Sequence, residues 1–209
     1  VNTHGVKIKG PPHSASQSYT LTLPSTAPSA DKALITDGSG NLSFGSAGGL
    51  TLLSTTTLSS DPSATLQGLM TGYDSYKVIY NIQRSVASII QLTFMSGATE
   101  LTSGYNMTAV SASASSGPTK YTDNSETFMN LNATWSSELS ATETPANAFF
   151  YIINPNDSND KTNIILQGTQ TGSSTYGAIS YTLTAHSTTA QAQDGLKFTP
   201  STGNFSNGF

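Results

Sequence analysis

The feature that most constrains this chain is a succession of short apolar runs, each interrupted by turn-forming residues after ten positions or fewer. The separators are rich in Gly, Ser, Asn and Asp, and several runs alternate apolar and polar residues with period two. No stretch favours a helix. Because no helix is available to cross between parallel strands, the pattern predicts an all-β fold with antiparallel pairing. We predict strands at 76–82, 87–95, 105–112, 127–135, 148–154, 162–168, 177–186 and 195–200.

The first 48 residues contain too few large apolar side chains to form a core. Alternation predicts short strands around Val6–Ile8 and Tyr19–Leu23, and "ALIT" and "LSF" flank the loop Asp37–Asn41 as a small hairpin. An isolated hairpin is marginally stable in water. This segment must therefore gain burial from copies of itself or from a neighbouring domain.

Three regions follow from these patterns. Residues 1–48 form a short β-hairpin shaft or connector segment, and residues 49–59 are a Gly/Ser/Thr-rich linker. Residues 60–209 are predicted to form an antiparallel jelly-roll-like β-sandwich head, because eight short strands with no helix between them suit a sandwich. The chain begins at Val1 and stops at "FSNGF", which we interpret as part of a longer polypeptide.

Composition argues against several classes of function. Charged residues make up only 10% of the chain, the net charge is −4, and the eight Lys and Arg are scattered, so no basic stripe for nucleic acid is present. Cysteine is absent, which excludes disulfides and thiolate metal sites. The longest apolar runs are far shorter than the roughly 20 residues of a membrane span, so we expect no membrane insertion.

The titratable residues do not suggest an enzyme or a cofactor site. Glu138 and Glu143 lie in a polar connection, and His4, His13 and His186 are too far apart to suggest a triad or a metal centre. The loop "NPNDSNDK" carries oxygen donors of the kind that Ca²⁺ takes. The order of these donors is not that of an EF-hand, and we interpret them as turn residues. The calcium candidates are Asn156, Asp157 and Asp160, with Asn154 and Asn159 beside them.

The stretch "YTLTLPSTAPSADKALITDGSGNLSF" resembles a pattern that recurs in tail-fibre and virion-appendage proteins of tailed bacteriophages. An alternating strand ends in Leu-Pro, and a small turn, a short strand and Asp-Gly-Ser-Gly-Asn-Leu-Ser with an aromatic follow. The aromatic here is Phe44, where tryptophan is more usual. "GVKIKGPP" resembles the usual lead-in, and "STGNFSNGF" resembles the last strands of phage sandwich domains. The resemblance covers about the first 45 residues well and is looser beyond residue 60.

The resemblance implies a non-enzymatic virion structural protein, either a tail fibre or a fibre connector, that forms a homotrimer and mediates host attachment. The implied partners are further copies of the chain, other tail or capsid proteins, and a host surface glycan or protein. The alternatives are a fibre or knob that decorates the capsid, and a glycan-degrading tailspike. The predicted trimer interface comprises Leu21, Leu23, Leu34, Ile35, Leu42 and Phe44.

Aromatic residues divide by their predicted environment. Those within strands are expected in the core or at the trimer interface: Tyr76, Tyr80, Phe94, Phe128, Phe149, Phe150 and Tyr151. Recognition is expected in the longest loops, 96–104, 113–126, 136–147 and 155–161. The receptor-contact candidates are Tyr73, Tyr105, Tyr121, Asn156 and Tyr176.

Overall fold

The computed structural model describes residues 12, 14, 16, 18–27, 32–45, 48–115, 117–132, 145–172 and 177–209. These residues form antiparallel β-sheets without an α-helix, which confirms the predicted all-β class. Within the described ranges no helical segment has the length and apolarity needed to cross a membrane. Contacts between residues of the chain divide it into two compact units, Val1–Thr51 and Leu52–Phe209.

The first unit contains the predicted hairpin. Strand β1 (Ala33–Thr36) pairs with β2 (Leu42–Gly45) in the register Thr36↔Leu42, which confirms the strands and the five-residue loop between them. The Asp37 carboxylate accepts hydrogen bonds from the backbone N–H of Ser39 (2.8 Å) and from Asn41 Nδ2 (2.8 Å). Gly40 has φ +93°, and its backbone lies against the carbonyl of Thr20, so a side chain there would be strained.

Of the other two strands predicted before residue 48, one is much shorter than expected. At Tyr19–Leu23 only Thr22 forms a bridge, through hydrogen bonds with Gly40 and Leu42. The chain can pair there for one residue only, because Pro24 has no N–H to continue the ladder. The strand predicted at Val6–Ile8 lies outside the described residues.

The described residues of the second unit form twelve strands. In chain order they are β3 (Ala64–Leu66), β4 (Ser75–Arg84), β5 (Ile90–Ser96), β6 (Thr99–Leu101), β7 (Tyr105–Ser113), β8 (Thr119–Glu126), β9 (Met129–Asn130), β10 (Ala146–Ile153), β11 (Asn163–Thr171), β12 (Ala178–Ser187), β13 (Gly195–Pro200) and β14 (Phe205–Gly208).

These strands form two sheets of unequal size. The large sheet has the order β14-β4-β10-β11-β12-β7-β8. The small sheet has the order β3-β13-β5-β6, and β9 also pairs with β5. Every pair is antiparallel, and β10, β11 and β12 follow one another as a meander. The residues from Leu52 onward belong to this unit, and Leu58 of the predicted linker is buried, with its N–H bonded to the carbonyl of Gly208 (2.8 Å).

One hydrophobic core lies between the inward faces of the two sheets. In strands β11 and β12, buried residues alternate with more exposed ones, so every second side chain faces this core. Rings from both sheets meet at its centre: Phe198 of β13 lies 6.0 Å from Tyr80 and 6.3 Å from Phe150, measured between centroids. The two sheets therefore pack face to face, as in a β-sandwich.

Residues 113–135 depart from the prediction. The region 113–126, predicted to be a loop, contains strand β8, and of the strand predicted at 127–135 only Met129–Asn130 is a strand among the described residues. Strand β8 is the last strand of the large sheet, and Tyr121 is its one large apolar contact with the core. A strand with a polar sequence gives no hydrophobic period, so the pattern could not reveal it. The predicted loop 96–104 likewise contains β6, which pairs back onto β5.

Replacing Phe150 with Ala should lower the free energy of unfolding by about 3–5 kcal/mol, because the ring is fully buried between the sheets. Phe149→Ala is the matched control. Phe149 points to the outer face of the same strand, so its loss should be well under half as large. Urea denaturation measures both, and equal losses would contradict the assigned inner and outer faces.

Candidate functional site

The first candidate surface is a groove on the outer face of the large sheet, with a volume of about 650 Å³, which we call the sheet-face groove. Strand register places its side chains in two rows that cross five strands. One row comprises Asn81, Asn147, Thr169, Ser180 and Ala112, and the next comprises Ile79, Phe149, Gln167, Thr182 and Val110.

The sheet-face groove combines apolar and neutral polar groups. Ile79, Val110 and Phe209 are 60%, 46% and 58% exposed, respectively. Asn81 Nδ2 donates to Asn147 Oδ1 (2.5 Å), and this hydrogen bond joins two neighbouring side chains of the first row. No described lining side chain is charged at neutral pH. The groove can therefore bind through apolar contact and neutral hydrogen bonds.

A second patch on the same face adjoins the groove. The Lys77 ammonium lies 5.0 Å from the ring centroid of Phe149 and 5.7 Å from that of Tyr151. Such cation–π contacts stabilise by about 0.5–1 kcal/mol at exposed sites. Ile165, opposite Tyr151 in the register, is also exposed. The Phe149, Tyr151 and Ile165 side chains form an apolar patch, in which Tyr151 is 40% and Ile165 51% exposed.

The second candidate surface is a smaller and more polar pocket of about 260 Å³, which we call the loop-end pocket. It lies where β7 begins and β12 ends, and it is lined by Glu100, Leu101, Thr102, Ser103, Gly104, Tyr105, Ser187, Thr189, Gln191 and Gln193. Much of the predicted recognition loop 96–104 thus forms one of its walls. Its lining is dominated by hydroxyl and amide side chains.

Charge in the loop-end pocket is already neutralised. Glu100 is bonded to Lys197 Nζ (2.5 Å) and to Thr93 Oγ1 (2.8 Å). Partial burial would raise the pKa of the Glu100 carboxyl, but the hydrogen bonds from Lys197 and Thr93 outweigh it and hold that pKa below its ordinary value. Glu100 therefore stays ionised and paired at neutral pH.

Gln193 is the most unusual residue of the loop-end pocket. It is 1% exposed, and neither its Oε1 nor its Nε2 has a hydrogen-bond partner in the described structure. Its backbone N–H donates to the carbonyl of Pro155 (2.6 Å), which fixes the residue in place. Sequence reasoning missed Gln193, since "TTAQAQDG" gives no pattern that distinguishes one glutamine from the other.

The receptor-contact candidates do not form one site. Tyr73 is 51% exposed, with its ring edge-on to Tyr76, and Asn156 is exposed. The prediction for Tyr105 is wrong. Tyr105 is only 1% exposed. Its hydroxyl donates to the carbonyl of Leu101 (2.6 Å) and accepts a hydrogen bond from the N–H of Phe94 (2.9 Å). Tyr105 is the first residue of β7 and faces inward, so its ring lies in the core.

Tyr121 is also misassigned to a loop. It lies in β8, packs partly against the core, and donates its hydroxyl to Asp123. Tyr176, Glu138, Glu143, His4 and His13 lie outside the described residues. His186 is on the outer face of the large sheet, opposite Asn163 and Asn106.

The calcium candidates act as turn residues in this structure. Asp157 Oδ1 accepts the N–H of Asn159 (2.8 Å), and Asp160 Oδ1 accepts the N–H of Lys161 (2.7 Å). Asn154 Nδ2 donates to Asp160 Oδ2 (3.3 Å), and Asn156 is exposed beside them. Among the described residues, no group of three or more His, Cys, Asp or Glu is placed to hold a metal ion.

The large sheet also buries a polar cluster. The Arg84 guanidinium is 4% exposed and donates to the carbonyl of Ser88 (2.6 Å), near the hydroxyls of Tyr80 and Tyr181. Burial lowers the pKa of Arg84, raises the pKa of Tyr80 well above its ordinary value, and raises the pKa of Tyr181 to about 12. These phenols therefore stay neutral at physiological pH. Their place inside the sandwich makes them structural groups.

The chain matches no protein-family model, no curated protein and no solved structure.

Raising the pH above 10 should destabilise the second unit. Burial raises the pKa values of Tyr105 and Tyr181 to about 12, so the unfolded chain, with ordinary tyrosines near 10, releases these protons first. The stabilisation is complete below about pH 10 and is lost as the pH approaches 12, by on the order of 2 kcal/mol for each tyrosine. Chemical denaturation at stepped pH measures it. Tyr181→Phe should flatten this dependence, whereas exposed Tyr73→Phe should not, and parallel curves for both would contradict the assignment.

Proposed function

We propose that this chain is a non-enzymatic structural subunit of a bacteriophage appendage, a tail fibre or fibre connector, that assembles as a homotrimer and takes part in host attachment. The hairpin segment is the assembly element of this proposal. The sandwich is the head, and a jelly-roll-like path is part of the proposal. Its support is that consecutive strands belong to different sheets after β3, β4, β6, β8, β9, β12 and β13.

One observation carries the proposal: large apolar side chains are exposed among the described residues of the first unit. Leu21, Leu23, Leu34 and Ile35 are 47%, 61%, 51% and 43% exposed. Apolar area of this kind favours burial, at about 25 cal/mol per Å² removed from water. Three copies of a two-stranded element around a threefold axis could bury faces that a single copy leaves open. Leu42 and Phe44 are half-buried and complete the predicted interface.

The head offers surfaces for contact rather than for catalysis. The sheet-face groove and the adjoining Phe149, Tyr151 and Ile165 patch expose apolar area that a neighbouring virion protein or a host molecule could cover. Glu100 is a carboxylate that lines the loop-end pocket, and it is paired with Lys197. A structural and binding role uses these surfaces without requiring a reactive group.

The intact protein should sediment as a trimer at micromolar concentration, and the double variant Leu34→Ser with Ile35→Ser should shift it towards the monomer. Both substitutions remove apolar area from the hairpin while leaving its backbone pairing available. Sedimentation equilibrium measures the mass, and circular dichroism checks that the second unit stays folded.

Leu52→Ser is the matched control, because Leu52 is 82% exposed and lies outside the predicted interface. It should leave the mass unchanged. A wild-type protein that sediments as a monomer with its hairpin folded would contradict the trimer.

Asn156→Ala should slow adsorption of the particle to host cells while leaving thermal stability and assembly nearly unchanged. Asn156 is exposed in the loop 155–161, so its loss removes a contact group and no packing. Tyr73→Ala tests a second exposed candidate. Adsorption that is unaltered by substitutions throughout the exposed loops would place the head against virion proteins only, as expected for a connector or a capsid decoration.

A further inference from the structure

The last strand of the large sheet contains a dipeptide with two groups that can react with each other, Asn207-Gly208, and nothing in the proposed function uses it. When the backbone nitrogen of the residue after an asparagine attacks the side-chain Cγ, a five-membered succinimide ring forms. The reaction requires an unhindered nitrogen that is not held elsewhere by the sheet, and it requires water to open the ring. The surroundings of Asn207 meet each of these requirements.

Position 208 is restricted to glycine by the packing of the sheet. Gly208 has φ +151°, and a Cβ there would lie 2.5 Å from the carbonyl oxygen of Asn81 and 3.1 Å from the Cα of Ile82. Both atoms belong to the backbone of β4, so they cannot move aside without disturbing the pairing. Because glycine has no side chain, nothing shields its nitrogen from Asn207. The fold therefore places after Asn207 the residue that hinders succinimide formation least.

The N–H of Gly208 takes no part in the pairing of β14 with β4. Phe209 and Asn81 exchange two backbone hydrogen bonds, with N···O distances of 3.0 and 3.1 Å. Hydrogen-bonded and non-hydrogen-bonded pairs alternate in an antiparallel ladder, so in the next pair, Gly208↔Ile82, the Gly208 N–H points away from β4. It donates instead to Oδ1 of Asn207 (2.8 Å).

This hydrogen bond brings the two reacting groups together. Oδ1 is joined to Cγ by a bond of about 1.2 Å, so the Gly208 nitrogen lies no more than about 4 Å from Cγ. Reacting atoms in productive geometries are about 3–3.5 Å apart, and a small rotation of the Asn207 side chain covers the difference. Asn207 is exposed, so water reaches the ring once it has formed.

We infer that Asn207 is a site of spontaneous deamidation in the folded protein. The Gly208 nitrogen gives up its proton to base and bonds to Cγ, and the Cγ–Nδ2 bond breaks, so that the amide nitrogen leaves as ammonia. One water molecule then opens the succinimide at either of its carbonyl carbons, which yields aspartate or isoaspartate. Nothing is oxidised or reduced, and water is the co-reactant. The inference does not depend on the proposed function, because it uses groups of the second unit alone.

Isoaspartate at this position would alter the surface of the large sheet. Its backbone runs through the side-chain carbons and is one carbon longer, which shifts Gly208 and Phe209 out of register. The hydrogen bonds from Leu58 to Gly208 and between Phe209 and Asn81 would then be lost. Phe209 also lines the sheet-face groove, so the reaction removes part of a candidate binding surface. Deamidation at Asn207 would therefore act as an ageing switch on the groove.

The first test follows the intact protein during incubation in mildly alkaline buffer, where the attacking nitrogen loses its proton more readily. Trypsin cleaves after Lys197, and the peptide that begins at Phe198 contains both Asn204 and Asn207. Fragmentation in the mass spectrometer should place a gain of one mass unit on residue 207, and isoaspartyl methyltransferase should label the same peptide.

Asn204 is the matched control within that peptide. It is also exposed, but the bulky Phe205 follows it, so it should convert at least tenfold more slowly than Asn207. Equal conversion at the two positions would overturn the inference.

The rate in the folded protein tests the geometry itself. If the strand held the Gly208 nitrogen away from Cγ, the native fold would protect Asn207, and the same chain unfolded in urea would react tenfold faster or more. We expect the folded protein to react less than tenfold more slowly than the unfolded chain. Protection of tenfold or more would show that the native backbone prevents the attack, and it would overturn the inference.

Asn207→Gln keeps an exposed amide but requires a less favourable six-membered ring, so it should not convert measurably over the same period. Incubated wild type should lose thermal stability in proportion to its isoaspartate content, whereas incubated Asn207→Gln should not. An equal loss in both proteins would place the damage elsewhere and overturn the ageing switch. Sedimentation as a trimer is a separate measurement, so the failure of either proposal leaves the other intact.

Discussion

The antiparallel register of the large sheet is the constraint on which the rest of the second unit depends. It aligns Tyr80, Ala148, Gly168 and Tyr181 in one inward row. A side chain at position 168 would clash with the Tyr181 ring, so this position requires glycine. A slip of one residue would turn every core side chain outward. The same register aligns the outer rows that line the sheet-face groove. Core and groove are therefore two faces of one hydrogen-bonding pattern.

The first unit follows the same backbone rules, and its described residues form one two-stranded sheet, β1-β2. Its hairpin is well specified, since Asp37 and Asn41 close the loop by hydrogen bonds and two glycines take positive φ. These bonds order the backbone without covering the side chains, so Leu34 and Ile35 remain exposed. A two-stranded sheet by itself is marginally stable in water. This uncovered area is the physical basis for the proposed assembly.

Polar groups of the second unit differ in how their hydrogen bonds are satisfied. Glu100 and Lys197 pair with each other, and Arg84 donates to the backbone of Ser88. Gln193 has no described partner for either atom of its amide. Buried polar groups in folded proteins are almost always hydrogen-bonded. Because the two candidate surfaces are otherwise neutral, binding there would depend on shape and hydrogen-bond geometry and would change little with salt.

The sequence alone determined the class of fold and most of its strands, because a strand with one buried face carries period-two alternation wherever it occurs. It also located the hairpin loop, where Gly38 and Gly40 supply positive φ. Only the tertiary structure decided that residues 119–126 form a polar edge strand, that Tyr105 is buried, and that Gln193 lies in the wall of a pocket. Those outcomes depend on which strands become neighbours, and pairing between residues far apart in the chain leaves no signal in any local stretch.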